Sequence, residues 1–150
     1  MTDFVERRKQ RMQDDDANAD AARELEKLEA ECSMRMTKIR QNSHMKDVVQ
    51  LKDVAIPDVL RPKVHEIRAL HQLITAAEAR LRELLDGHIL ELRRAHSVSA
   101  LEQLRSHFLH REWNVLKGVY PELHREGERE AEKLLLRLEY ETDVRRKRGR

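Results

Sequence analysis

Residues 64–95 read Val64-His-Glu-Ile-Arg-Ala-Leu-His-Gln-Leu-Ile-Thr-Ala-Ala-Glu-Ala-Arg-Leu-Arg-Glu-Leu-Leu-Asp-Gly-His-Ile-Leu-Glu-Leu-Arg-Arg-Ala95. Val64, Ile67, Leu70, Ile74, Ala77, Leu81 and Leu84 form one apolar stripe, widened by Leu73, Leu85, Ile89 and Leu92, with charged residues on the other directions. That three-four recurrence is the pattern of an amphipathic helix. It predicts a long central helix over 62–96 with Pro62 at its start, roughly 50 Å long at about 1.5 Å per residue. A rod of that length needs a long partner for its apolar side. Gly87 falls inside it at a cost of about 1 kcal/mol relative to Ala.

Upstream, Ile56-Pro-Asp-Val-Leu-Arg-Pro62 removes two amide donors and disfavours the α region before each proline. This predicts an extended connector over 57–61, either a corner where the preceding helix folds back or a stretch that a partner grips. Residues 1–56 predict a charged helix. Its start should fray through Asp14, Asp15, Asp16, Asn18 and Asp20, which are weak helix formers. Beyond Ala21, Leu25, Leu28, Cys32 and Ile39, with Met36 beside them, give a narrow seam suited to one neighbouring helix.

Downstream, residues 97–144 predict a helical region broken near 118–121. Ser99 and Glu102 have capping-box spacing, Gly118 ends one helix, and Pro121 suits the first turn of the next. Leu101, Leu104, Phe108, Leu109, Trp113 and Leu116 make the aromatic-containing face of the third helix, and Leu123, Ala131, Leu134, Leu135 and Leu138 the apolar face of the fourth.

Composition supports an all-α, elongated architecture, a helical hairpin or coiled-coil-like arrangement with a broken C-terminal region. Of 150 residues, 39% are charged and only 3% aromatic, and 4 Gly with 3 Pro leave few reversals for a sheet. No run approaches the roughly 18 apolar residues of a spanning helix, so no membrane insertion is expected. Acidic residues near the N-terminus oppose a secretory or mitochondrial leader, and the single Cys32 cannot form an internal disulfide, which together predict a cytoplasmic protein. A long apolar stripe and few aromatics also predict that isolated chains associate or are only marginally ordered.

No phosphate-binding loop, nucleophile elbow or kinase signature occurs, so an enzyme is not expected and no cofactor is implied. His107, His110 and Glu112 lack the spacing of a zinc helix, and Asp14–Asp16 lack the glycine and terminal glutamate of a calcium loop. Residues 1–56 carry 11 basic and 12 acidic side chains, 57–144 carry 14 and 16, and 145–150 carry 5 and 0, so the basic excess lies in the tail. Two features are candidates for partner binding. One is Phe108, Trp113 and Tyr120, which either pack on the central helix or anchor an interface. The other is the basic tail of Arg145, Arg146, Lys147, Arg148 and Arg150, suited to tubulin or to nucleic acid, both acidic.

The stretch from Val64 to Ala95, preceded by its proline-punctuated connector and flanked by charged helices, resembles small helical proteins of eukaryotic ciliary and flagellar microtubule doublets. The resemblance implies a non-enzymatic structural subunit of an axonemal, cytoskeletal assembly, located at the cilium and bound through helical faces to tubulin or other axonemal proteins. Two other classes fit the charge and helix pattern: a nucleic-acid or ribonucleoprotein accessory anchored by basic termini, and a coiled-coil adaptor in membrane traffic.

Overall fold

A computed structural model describes residues 2–149. The protein is all-α, with no strand among the described residues. Its elements are α1 (Thr2–Gln41), α2 (Met45–Lys52), a 3-10 helix (Asp58–Glu66), α3 (Arg68–Arg93), α4 (Val98–His107), a π-type turn (Phe108–Glu112), a 3-10 turn (Trp113–Val115), α5 (Leu116–Val119) and α6 (Pro121–Arg148).

Helix α3 lies in the middle, packed against both α1 and α6. Its buried residues are Leu70, Leu73, Ala77, Leu81, Leu85, Ile89 and Leu92. From Leu70 to Leu92 the stripe advances 22 residues in six steps, close to the 3.67 residues per turn of an eleven-residue repeat, so it stays on one side of a nearly straight helix. Leu73 and Leu85 are central to this face. Ile74, placed on the main stripe by a three-four reading, is 43% exposed.

Polar contacts fix the directions of the legs. Arg80 Nε on α3 donates to Asn42 O, just past the end of α1, at 2.9 Å, while Leu25, Glu29 and Ser33 lie near Ile67–Ala69 at the start of α3. Helices α1 and α3 therefore run the same way. The first reversal occurs at Asn42–His44, where Asn42 Oδ1 accepts from the His44 amide, and the second just before α3, while the chain at Pro57 lies within the return between them. Helix α2 then returns alongside α1, with Arg35 donating to Leu51 O. Arg82 and Arg93 pair with Glu126 and Glu130, so α6 also runs parallel to α3, with α4 to α5 as the return leg.

Several boundaries differ from the sequence expectation for physical reasons. The connector is a 3-10 helix that extends to Glu66 and contains Pro62, whose φ and missing amide suit this short turn. Leu60 anchors it in the core, and α3 begins only at Arg68. Helix α1 is continuous through Asp14–Asp20, where Gln10 donates to Asp14 and Arg23 to Asp20 along the helix. Ser97, not Ser99, caps α4: its Oγ accepts from the Ala100 amide at 3.1 Å. Residues 145–148 are the last turn of α6, continuous with the body and not a separate tail.

The long helices do not begin or end level with one another. Residues 4–20 of α1 are exposed on every side, and α6 passes the end of α3 with its last residues exposed. The body thus carries one protruding helical end at each pole.

Helix α6 comes close to the return leg at Gly127. A Cβ there would lie 2.9 Å from Trp113 Cζ3 and 3.2 Å from Leu85 Cδ1, whereas one at Gly87 meets nothing within 4 Å. We expect Gly127→Ala to destabilise by about 1–3 kcal/mol through overpacking against a rigid buried indole, and Gly87→Ala to stabilise by about 0.5–1 kcal/mol. Urea unfolding of the two variants checks this, and an unaffected Gly127→Ala would show that α6 sits farther from Trp113.

Candidate functional site

The aromatic face of the return leg turns inward. Trp113 is 0% exposed and Phe108 is buried beside it, their rings stacked with centroids 5.5 Å apart and an interplanar angle of 20°. Phe108 also stacks on His88 of α3 at 4.4 Å. Trp113 Nε1 donates to His88 Nδ1 at 3.1 Å, which places the proton of a neutral imidazole on Nε2. The π-type turn makes this possible, because one extra residue in the turn swings Trp113 toward α3 and Gly127.

Glu112 closes the turn from the other side. Its carboxylate accepts from the Met45 amide at 3.4 Å and lies 3.3 Å from His44 Nδ1, tying the return leg to the start of α2. Burial holds His88 below the ordinary imidazole value, with Glu112 and Glu91 pulling it up and His107 adding to the fall. His88, His44, Glu112 and Gly127 are the partners that organise the aromatic pair. The sequence carried a signal for one of them, since Gly127 and Ala131 four residues apart mark a small-residue face for close helix approach.

Tyr120 does not join this cluster. It ends α5, half-buried at an open groove lined by Glu78, Arg82 and Arg125. Burial raises its phenol, and Glu78 and Asp53 add to the rise. Buried as they are, Phe108 and Trp113 offer no surface to a partner in this fold, which is the packing alternative for the aromatic face. Cys32 is likewise a core side chain, its thiol pushed up by burial against the opposing pull of Arg35.

The basic residues are placed differently. Arg145, Arg146, Lys147 and Arg148 wind around the exposed last turn of α6, while Arg150 lies outside the described residues. Four consecutive residues about 100° apart face all sides of a helix, so this turn presents positive charge in every direction. Lys147 reaches Asp143 at 3.7 Å in an exposed pair that solvent and salt weaken. Among the described residues, no three His, Cys, Asp or Glu side chains are gathered as metal ligands, and no helix is long and apolar enough to cross a membrane.

The chain matches no known protein family, no curated protein and no solved structure.

Two results are expected from the aromatic pair. Trp113→Ala should cost about 3–5 kcal/mol and reduce helicity, because it empties a dry core position. Retained helicity and an unchanged unfolding midpoint would contradict this placement. The second result concerns pH. The folded value of His88 is the lower one, so the unfolded chain binds more protons between the two values. The His88 contribution is full above about pH 6.5 and is lost as pH falls through the folded value. Thermal unfolding between neutral and mildly acidic pH should show a shallower decline for His88→Gln, which still accepts from Trp113. Equal slopes would show that His88 titrates as it does in the unfolded chain.

Proposed function

We propose that this chain is a non-enzymatic structural subunit of a large intracellular assembly, with an axonemal microtubule as its setting. The observation that carries this reading is the pair of protruding helical ends. Three long helices run in one direction around a filled body; α1 continues past it as an exposed, charged rod, and α6 ends in an exposed basic turn. Such ends add reach and partner surface without contributing to the core.

The resemblance of Val64–Ala95 to helical proteins of doublet microtubules supplies the setting, and the basic turn Arg145–Arg148 supplies a contact for an acidic lattice. The same turn suits nucleic acid, which makes a ribonucleoprotein accessory the second reading. Phosphate neutralisation releases counterions and gives a steep salt dependence, so salt and partner type together separate the readings.

Co-sedimentation of the full chain with microtubules and with RNA, at about 50 mM and about 500 mM salt, tests this reading, since screening separates exposed charge contacts from buried ones. Pelleting with microtubules is expected at low salt, weakened when Arg145–Arg150 are deleted, with far-ultraviolet circular dichroism unchanged apart from the missing turn. Retention on RNA with a steep salt slope and none on microtubules would replace the cytoskeletal reading with the second one.

A further inference from the structure

The two protruding ends carry charge blocks in complementary order. On α1, Arg7, Arg8, Lys9 and Arg11 come first and Asp14, Asp15 and Asp16 follow. On α6, Glu139, Glu141 and Asp143 come first and Arg145, Arg146, Lys147 and Arg148 follow. Each end also exposes apolar residues that no neighbouring helix covers. Phe4 and Met12 are 72% and 62% exposed on α1, and Leu136 and Tyr140 are 57% and 72% exposed on α6, two turns and one turn before half-buried Val144.

We propose that the protruding start of α1 docks along the outer face of α6 of a second copy, parallel to it and with residue i against residue i+132, joining copies head to tail. The proposal rests on the structural-subunit reading and names one partner for its ends. In this register Phe4 meets Leu136, Met12 meets Val144, and Arg8 lies over the exposed ring of Tyr140 as a cation–π pair. Residues 4, 8 and 12 share one helix face, as do 136, 140 and 144. Arg7 and Arg11 then lie toward Glu141 along one edge of the seam, Lys9 lies between Glu139 and Asp143 along the other, and Asp15 faces Lys147. Arg145 and Arg146 point to other sides and remain open to a different acidic partner.

Direction is decided by charge and by space. An antiparallel alignment, with residues 4, 8 and 12 against 144, 140 and 136, keeps Arg7 against Glu141, Lys9 against Glu139 and Asp15 against Lys133 but sets Arg11 against Arg137 and Asp16 against Glu132. It also brings the second body alongside the first. The parallel alignment opposes both charge blocks and keeps the bodies end to end. Because the contact joins two different surfaces, it does not close on itself, and repeated docking produces an open filament.

The repeat follows from the register. Within the body Asn42 is level with Arg80, and Arg82 with Glu126, which offsets α6 from α1 by about 82 residues. Docking at 132 advances each copy by the remaining 50, roughly 75 Å at about 1.5 Å per residue.

Disulfide trapping of the purified full chain tests register and direction. Phe4→Cys with Leu136→Cys in one chain should oxidise to a ladder of oligomers, whereas Phe4→Cys with Val144→Cys, the antiparallel pair, should not. Light scattering should show mass rising with concentration at low salt and returning to that of a monomer at high salt. Reversing Arg7, Lys9 and Arg11 to Glu should weaken association at least about tenfold, and adding Glu139→Arg, Glu141→Arg and Asp143→Arg should restore it. A monomer at low salt, a ladder from the Val144 pair, or no restoration by the second set of reversals would overturn the docking. Failure of assembly with microtubule pelleting intact removes this proposal alone. Assembly without pelleting removes the microtubule reading alone.

Discussion

Burial of one face of α3 is the constraint on which the rest of the structure depends. Leu73, Ala77, Leu81 and Leu85 are all 0% exposed, and each large apolar side chain removed from water contributes about 1.5–3 kcal/mol. A helix of 26 residues cannot cover its own face, and no single neighbour covers it along its whole length. Helix α1 and α2 therefore take one part of its surface, and α6 with the return leg takes the other. Because α1, α3 and α6 all run the same way, two return legs are required. Those legs are where the backbone is least regular, with 3-10 and π-type turns carrying the chain back.

The irregular return leg is also where packing is most specific. Trp113 is held by His88 on α3, by Phe108 within its own turn, and by the bare backbone at Gly127 on α6, so three elements meet at one indole. A residue gripped this way stabilises the body and is withdrawn from partners. The surfaces that the core does not use are the poles. The division has a physical basis: the poles are rich in charge, and charges cost too much to bury unpaired, so these segments gain nothing from joining the core.

Much of the fold was legible in the pattern of the chain. The seam of Leu28, Cys32 and Ile39, the apolar run ending at Leu92, the break at Ser97 and the restart at Pro121 all mark real elements, because apolar spacing and capping residues act locally. Other features depend on tertiary contacts. Pro62 was a reasonable helix start, yet Leu60 and Ile67 are drawn into the core on either side of it, and the segment becomes a 3-10 helix. Whether Trp113 faced inward turned on one extra residue in the π-type turn, which no spacing rule encodes. The reversal at Asn42–His44 lacks Gly and Pro, so it carries neither of the usual turn signals. Tyr140 and Leu136 were legible in principle, as apolar residues lying off the face defined by Ala131, Leu135 and Leu138.

Native-state hydrogen exchange on the dilute chain at high salt, where ends stay apart, tests most directly whether α3 organises the body and leaves the poles independent. The slowest amides should lie in α3 between Leu73 and Ile89 and exchange only through global unfolding, together with those of α6 around Ala131. Amides before Ala21 in α1 and after Thr142 in α6 should exchange far faster, because helix without tertiary packing is marginal in water. Protection at either pole equal to that of α3, or loss of α3 protection while α1 and α6 keep theirs, would contradict the account.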